Sequence, residues 1–541
     1  MNRTVAEAVG HTLVGLGVDR VFGVVGSGNF HLSNAMVASG ARFVAARHES
    51  GATTMADAYA RMSGTVSAVT VHQGCGLTNT MTGLAEAAKS RTPLVVLAAD
   101  VTEQRSNFFV DQDALATAVG AMSMRVDDPA DAVRIATEAF RTAYDDRRTV
   151  LLNLPLQVQA QLAPAAVEPV AVASDTRPDI ENLEALANAL ASARRPVFVA
   201  GRGARGAREQ LVGLADQCGA LMATSAVAKG LFHDQPWSLD VSGGFASPLV
   251  VELIQQADLI VGWGCALNMW TMRQGSLIGA DTVVAQVDIE ADALGRHRPV
   301  DVAVIGDVGE VASRLAPVTP KRIGYRSEDI GARIAKEVRW RDVPFDDRST
   351  EHRIDPRTFT IGLDDVLPAE RVVGIDSGNF MGYPSMFLSV PDELGFCFTQ
   401  AYQSVGLGLA TAIGAALAQP NRLPVAALGD GGALMGASEL ETVVRLGLPM
   451  VVVVYDDEAY GAEVHHFGPD GNDLSLVRFP PTDFAAVGRG YGFEAVTVRR
   501  AADLDGVAAW VAGDRARPLL VHGRVTGGEP SWWLEEAFRG H

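Results

Sequence analysis

The chain has 541 residues, more than one hydrophobic core usually serves, so two to four domains are expected and three is the natural division. Lys and Arg total 45 against 64 Asp and Glu, a net charge of −19 that argues against a general affinity for nucleic acid or anionic lipid. Cys75, Cys218, Cys265 and Cys397 form no close-spaced pair, so neither a zinc site nor a disulfide framework is suggested and a reducing cytoplasm fits best; no apolar run reaches the roughly 20 residues that a membrane-spanning helix needs.

Residues 1–8 carry charge early and read as the start of an amphipathic helix, not a signal peptide. From there, short β-branched runs alternate with longer Ala- and Leu-rich segments, the pattern of parallel strands joined by crossover helices. The expected class is α/β, with three doubly wound parallel-sheet domains. Residues 42–46 read as a strand ending at Arg47-His48-Glu49, followed by a helix over 51–61. Val71-His72-Gln73-Gly74-Cys75-Gly76 follows another strand. Two stretches read as connectors: residues 157–178, rich in Ala, Val and Pro, and residues 316–356, where charge and Pro rise together. The domains are therefore placed at 1–164, 179–340 and 352–541. The middle block has its own strand-and-glycine punctuation, at Val199-Ala200-Gly201-Arg202-Gly203 and Val261-Gly262-Trp263-Gly264, and reads as a nucleotide-type fold. Val21-Phe22-Gly23-Val24-Val25-Gly26-Ser27-Gly28-Asn29 and Val372-Val373-Gly374-Ile375-Asp376-Ser377-Gly378-Asn379, each preceded by Arg, form a faint internal repeat that chance could also produce.

The third block carries the chemistry most openly. A strand over 423–428 runs into Gly429-Asp430-Gly431-Gly432, then a helix, then a strand over 450–455 that ends in Asp456-Asp457, with Tyr460-Gly461 behind. Ligands of open parallel sheets bind at the carboxyl ends of strands, where both acidic points lie. Glycines let the backbone approach a diphosphate, and the following helix aims free N–H groups at phosphate oxygens. Magnesium between them needs hard oxygen donors, which Asp430, Asp457 and a neighbouring carbonyl can supply alongside the diphosphate.

These residues resemble the thiamine diphosphate enzymes of the acetolactate synthase and 2-oxo acid decarboxylase group. Their metal motif opens with Gly-Asp-Gly and closes with Asn-Asn or a near variant, and Ser438-Glu439-Leu440-Glu441-Thr442 and Gly447-Leu448-Pro449 also look like the family. The resemblance implies Asp430 and Asp457 as side-chain ligands of Mg2+ and the carbonyl of Ala459 as a backbone ligand. It implies Gly429, Gly431, Gly432, Tyr460 and Gly461 around thiamine diphosphate. Asp457 stands where Asn is usual, and Gly432 where Ser is common.

Arg47-His48-Glu49-Ser50-Gly51-Ala52 is similar to the segment that carries the family's catalytic glutamate. The cofactor becomes a nucleophile when its aminopyrimidine acts as an internal base, which requires a proton-exchanging carboxylate against the ring nitrogen. Glu49, fixed in a mostly apolar cleft, is expected to do this. Because this segment and the metal motif lie at opposite ends of the chain, the resemblance implies a site at a subunit interface, and so a homodimer or homotetramer. His72 and Gln73 resemble part of the family's active-site turn, where they could relay protons or bind a carbonyl, or simply satisfy the turn. Gln403-Ser404-Val405-Gly406 is similar to the segment whose apolar wedge holds thiamine bent, which makes Val405 the wedge. His465, in Glu463-Val464-His465-His466, could face the substrate end of the cofactor; a solvated face is the alternative. Asn107-Phe108-Phe109-Val110-Asp111-Gln112 resembles a loop bearing an active-site Phe-Gln pair in acetolactate synthases, but here Gln is displaced to 112.

Residues 286–290 are similar to the middle domain of acetolactate synthases, which often keep a flavin that does no redox work. Residues 264–270 lack the Arg and acidic residues of flavin-binding relatives, which counts against FAD. The resulting expectation is an enzyme that cleaves a 2-oxo acid to carbon dioxide and transfers the acyl unit to a carbonyl acceptor. The alternatives are a simple decarboxylase or lyase, and a retired thiamine-binding subunit, against which Glu49, Asp430 and Asp457 together argue.

Overall fold

The computed structural model describes residues 3–164, 179–527, 533 and 534. Within them, three six-stranded, wholly parallel sheets follow one another along the chain. The first contains β1 (Arg20–Gly23), β2 (Arg42–Ala45), β3 (Ser67–Val71), β4 (Leu94–Asp100), β5 (Met122–Arg125) and β6 (Thr149–Pro155). The second contains β7 (Pro196–Ala200), β8 (Leu221–Thr224), β9 (Ser238–Val241), β10 (Leu259–Trp263), β11 (Val283–Asp288) and β12 (Val302–Ile305). The third contains β13 (Arg371–Ile375), β14 (Phe396–Cys397), β15 (Leu423–Gly429), β16 (Val451–Asp456), β17 (Glu494–Val498) and β18 (Leu519–Arg524). The central strands are apolar at nearly every position because helices cover both faces; β4 and β6 are buried along their whole length.

The spatial order of the first sheet is β2-β1-β3-β4-β6-β5 and of the third β14-β13-β15-β16-β18-β17, the same order counted from each sheet's first strand. β1 and β13 are therefore equivalent strands, and the repeated Arg-strand-glycine segments are a real correspondence of topology. The middle sheet runs β12-β11-β10-β7-β8-β9, the dinucleotide-type order.

The N-terminal helix spans Val5–Gly15 and starts in a capping box between Thr4 and Glu7; Met1 and Asn2 lie outside the described residues. The stretch read as a second connector is not featureless. It contains the helix Glu328–Glu337 and the turn Trp340–Asp342, because Ser327 caps the Ile330 N–H and Glu328 and Asp329 suit the helix N-terminus. Of the first connector, Leu156–Gln159 forms one helical turn, and residues 165–178 lie outside the described residues.

The first and third domains dock through the helices Glu49–Ser63 and Gly408–Ala418. At the crossing, a Cβ on Gly414 would lie 2.2 Å from the Met55 carbonyl oxygen, so glycine is what permits the approach. All four cysteines are free thiols, and among the described residues no helix is long and apolar enough to cross a membrane.

Candidate active site

β15 and β16 pair in parallel with Gly429 opposite Tyr455, which sets their carboxyl ends side by side. The helix Asp430–Met435 begins directly at the end of β15, and the loop after β16 leads through Asp457 and Ala459 to the helix Gly461–Phe467. Asp430 is turned toward that loop: Oδ1 accepts from the Gly431 N–H at 2.8 Å and Oδ2 from the Ala459 N–H at 3.2 Å. Burial, and then the charge of Asp457, push the Asp430 pKa up to about 7. Burial likewise pushes Asp457 up to about 6. Two buried acids, one of them raised further by the other's charge, form a donor set whose strain a hard divalent cation would relieve. Among the described residues no three His, Cys, Asp or Glu side chains form a metal cage, so the protein alone does not enclose an ion here.

The loop is braced from outside. Glu458 holds a left-handed φ of 59°, and its carboxylate pairs with Arg353 at 2.6 Å and with Arg524. Asp456, also buried, pairs with buried His522 at 2.7 Å. The glycines form a close-fitting cradle: a Cβ on Gly431 would lie 2.5 Å from the Tyr460 ring, and one on Gly432 would lie 2.1 Å from Asp376 Oδ2. Asp376 was not singled out as a site residue from sequence. It is fully buried, accepts from the N–H groups of Ser377 at 2.8 Å and Gly406 at 2.9 Å, and is nonetheless pushed up to about 7 by burial. Through Gly406 it fixes the backbone beside Val405, whose side chain is 39% exposed and lies over Gly432.

Glu49 is the first residue of its helix, which is two residues longer at each end than expected. His48 caps the helix by accepting from the Ser50 N–H at 3.1 Å. Glu439 of the third domain accepts from the Arg47 and His48 N–H groups at 3.0 and 3.1 Å, and so holds the strand-to-helix corner. Glu49 Oε2 accepts from Asn79 Nδ2 at 3.0 Å. The carboxylate is partly exposed with a polar partner, in place of the mostly apolar cleft expected around it.

His72 follows β3, and its ring packs edge-on against Phe108 at 5.2 Å. Its Nδ1 lies 3.0 Å from the Gln73 carbonyl oxygen and its Nε2 3.3 Å from Ser27 Oγ. A Cβ on Gly76 would lie 3.0 Å from the His72 Cβ and 3.7 Å from Glu49 Oε1, so Gly76 brings these two side chains close together. The pairing of Ser27 with His72 escaped the sequence reading because 45 residues separate them, although Ser27 stands in the glycine turn after β1. Gln73 is buried with Oε1 unbonded, and a Cβ on Gly28 would fall 1.8 Å from that atom. Gln112 is tied into the scaffold: it accepts from the Gly74 N–H at 3.1 Å and donates to Ala99 and Asn153 at 3.1 and 2.8 Å.

His465 does not stand on a solvated face. It is half-buried with Nε2 enclosed and unbonded, and burial lowers its pKa, with Arg478 adding to the effect. The candidate site residues thus fall into a third-domain group (Asp430, Asp457, Ala459, Gly429, Gly431, Gly432, Val405, Tyr460, Gly461, His465) and a first-domain group (Glu49, Asn79, Ser27, His72, Gln73). Among the described residues no hydrogen bond or ion pair joins one group to the other.

A cavity of about 1030 Å³ lies between the three domains, bordered by Arg91, Arg202, Arg205, Gly264, Gln400 and Tyr402 among others. Burial and the neighbouring Arg61 and Arg205 push the Arg202 pKa down to about 9.

Three family models match along the chain: the thiamine pyrophosphate enzyme N-terminal TPP binding domain over residues 3–124, the central domain over 183–315 and the C-terminal TPP binding domain over 376–522. A probable 2-ketoarginine decarboxylase of Pseudomonas aeruginosa is 31% identical, the alignment covering 93% of this chain and 90% of that protein. A sulfoacetaldehyde acetyltransferase of Castellaniella defragrans is 26% identical over 93% and 89%. The large subunit of acetolactate synthase isozyme 2 of Escherichia coli is 28% identical over 84% and 83%. Among solved structures, a thiamine diphosphate-dependent 4-hydroxybenzoylformate decarboxylase of Rhodococcus jostii superposes with a TM-score of 0.81 at 23% identity, covering 97% of this chain and 99% of that one.

Proposed function

The chain belongs to the thiamine pyrophosphate enzymes of the 2-oxo acid group, and from that premise we propose that it decarboxylates a 2-oxo acid with a divalent metal holding the cofactor's diphosphate. The cofactor, when bound, supplies the nucleophilic carbon and the electron sink for loss of carbon dioxide. In this reading Asp430, Asp457 and the Ala459 carbonyl hold the metal, and the backbone of Gly429, Gly431 and Gly432 approaches the phosphates. Tyr460 and Gly461 would shape the far wall, and Val405 would be the apolar support beneath the cofactor. Glu49 would be the carboxylate that exchanges a proton with the cofactor's pyrimidine ring, with Asn79 orienting it. Because the Glu49 and Asp430 groups are separately held, a working site forms between two chains, in a homodimer or a larger homo-oligomer.

The observation that carries the choice of reaction is the pairing of His72 Nε2 with Ser27 Oγ at 3.3 Å, beside Glu49. A hydroxyl and an imidazole in contact can bind a substrate carboxylate and then deliver a proton to the product carbon. Gln112, displaced from the position that an acetolactate synthase-like loop would use, is occupied by scaffold hydrogen bonds. Transfer to a carbonyl acceptor is the second reading, favoured by the short side chain of Val405, which leaves room above the diphosphate turn. FAD takes part in no step of either reading. The test is incubation of the protein, magnesium and thiamine diphosphate with a panel of 2-oxo acids, including a guanidino 2-oxo acid, with and without aldehydes. Carbon dioxide with aldehyde product supports the proposal; a hydroxyketone supports the second reading; no carbon dioxide from any acid refutes both.

A further inference from the structure

The segment that leads to Val405 is gripped by side chains of the first domain. Arg61, at the end of the helix that begins with Glu49, donates through Nη1 to the Phe398 carbonyl at 3.0 Å and through Nη2 to Glu86 Oε1 at 2.8 Å. Glu86 is fully buried, and it accepts from two backbone N–H groups of the same segment: Ala401 to Oε1 at 3.0 Å and Tyr402 to Oε2 at 2.6 Å. Asp57, also fully buried, fixes the other edge of the Arg61 guanidinium at 2.9 Å, and Ser90 adds a bond to Glu86 at 3.2 Å. Downstream, Gly406 is held by Asp376, while Gln403 between the two anchors has a left-handed φ of 60°. Val405 therefore sits in a short arch whose ends are tied to carboxylates of two different domains.

A buried carboxylate accepting two main-chain N–H bonds and paired with a guanidinium restricts position far more than apolar packing does. We propose that Glu86 is a positioning residue for the cofactor: by clamping the Ala401 and Tyr402 N–H groups it sets the height of Val405 above the diphosphate turn. This rests on the reading of Val405 as the support under a bound thiamine diphosphate.

The test compares wild type, Glu86→Gln and Gln419→Ala, the last removing a different first-to-third-domain bond, from Gln419 Nε2 to the Met62 carbonyl at 2.8 Å. In protein free of cofactor, amide hydrogen exchange at 401–405 is expected to rise at least tenfold in Glu86→Gln alone. With saturating thiamine diphosphate and magnesium, exchange of the cofactor's thiazolium C2 proton, followed by NMR, is expected to slow at least tenfold in that variant alone. Wild-type rates in Glu86→Gln, or an equal change in Gln419→Ala, overturn the proposal. A wild-type protein that binds no thiamine diphosphate overturns the functional reading instead. Should Glu86→Gln fail to fold, Tyr402→Pro removes one clamped N–H and leaves the buried ion pair whole; a wild-type C2 exchange rate in it overturns the proposal equally.

Discussion

Asn79 Nδ2 donates to Glu49 Oε2 across 3.0 Å, and this bond joins the short helix after β3 to the first residue of the Glu49–Ser63 helix. It restrains a carboxylate that is otherwise partly exposed. Glu49→Gln keeps the amide bond geometry and the helix but cannot exchange a proton. We expect cofactor affinity by calorimetry to stay within about threefold of wild type and carbon dioxide release to fall by roughly 10²–10⁴. Unimpaired turnover removes Glu49 from the mechanism.

The same helix sets up a test of domain docking. Alanine at Gly414 gains about 1 kcal/mol of helix propensity, yet its Cβ meets the Met55 carbonyl oxygen at 2.2 Å and Ala58 Cβ at 2.9 Å. Neither neighbour is the tip of a flexible side chain, so overpacking outweighs the gain and a net loss of about 1–3 kcal/mol is expected. A three-domain chain need not unfold in one step, so the measurement is the lowest thermal transition, which should fall by several degrees in Gly414→Ala.

The parallel sheets, the glycine-aspartate turn and the helix after Arg47 were legible in sequence because each is written in contiguous residues. Fully apolar strands report a sheet covered on both faces, and glycines at a strand end report close backbone approach. The helix Glu328–Glu337 was obscured by the charge and proline around it, although Ser327 with two following acids is a start signal in its own right. Pairings that depend on the placing of one strand end against another were out of reach. Ser27 meets His72 only because β1 lies beside β3, and Glu86 meets Tyr402 across 316 positions of sequence. The burial that keeps His465 from being a solvated residue is set by packing of the third domain around the helix Gly461–Phe467, which local pattern does not reveal.

Asp430 and Asp457 give the pH dependence. Their pKa values in the folded chain stand at about 7 and about 6, against 3.8 for a free carboxyl. A raised folded value means that the folded chain binds protons more tightly than the unfolded one. The stability contributed by these two groups is thus full below about pH 4 and lost as pH rises through 6 and 7. Magnesium held by these two acids, as proposed, would offset their repulsion but compete with those protons. Magnesium with thiamine diphosphate should therefore raise the melting temperature more at pH 8 than at pH 6, as read by scanning calorimetry. Asp457→Asn removes one charge, so the metal-free protein should melt higher at pH 8 than wild type and its magnesium response should vary less between the two pH values. A wild-type response that is independent of pH would show that these acids do not hold the metal. Asp430→Ala, which leaves one carboxylate, is expected to abolish magnesium-dependent cofactor binding.

The contact between Ser27 and His72 separates binding from proton delivery. If the hydroxyl and the imidazole together bind the substrate carboxylate, Ser27→Ala loses one hydrogen bond to a charged group, about 1.5–3 kcal/mol. That loss corresponds to a rise in KM of roughly tenfold to a hundredfold, with a smaller change in kcat. His72→Asn preserves a donor near the Gln73 carbonyl but has no ring nitrogen to relay a proton, so kcat should fall by about 10²–10⁴ while cofactor binding persists. The double variant should lose little beyond His72→Asn, because Ser27 acts on the same oxygen atoms and its contact runs through the imidazole. Strictly additive losses would place the two side chains on different parts of the substrate. In that case His72 alone would serve proton transfer, and the carboxylate of the 2-oxo acid would have to be held elsewhere, with the enclosed Nε2 of His465 the next group to vary.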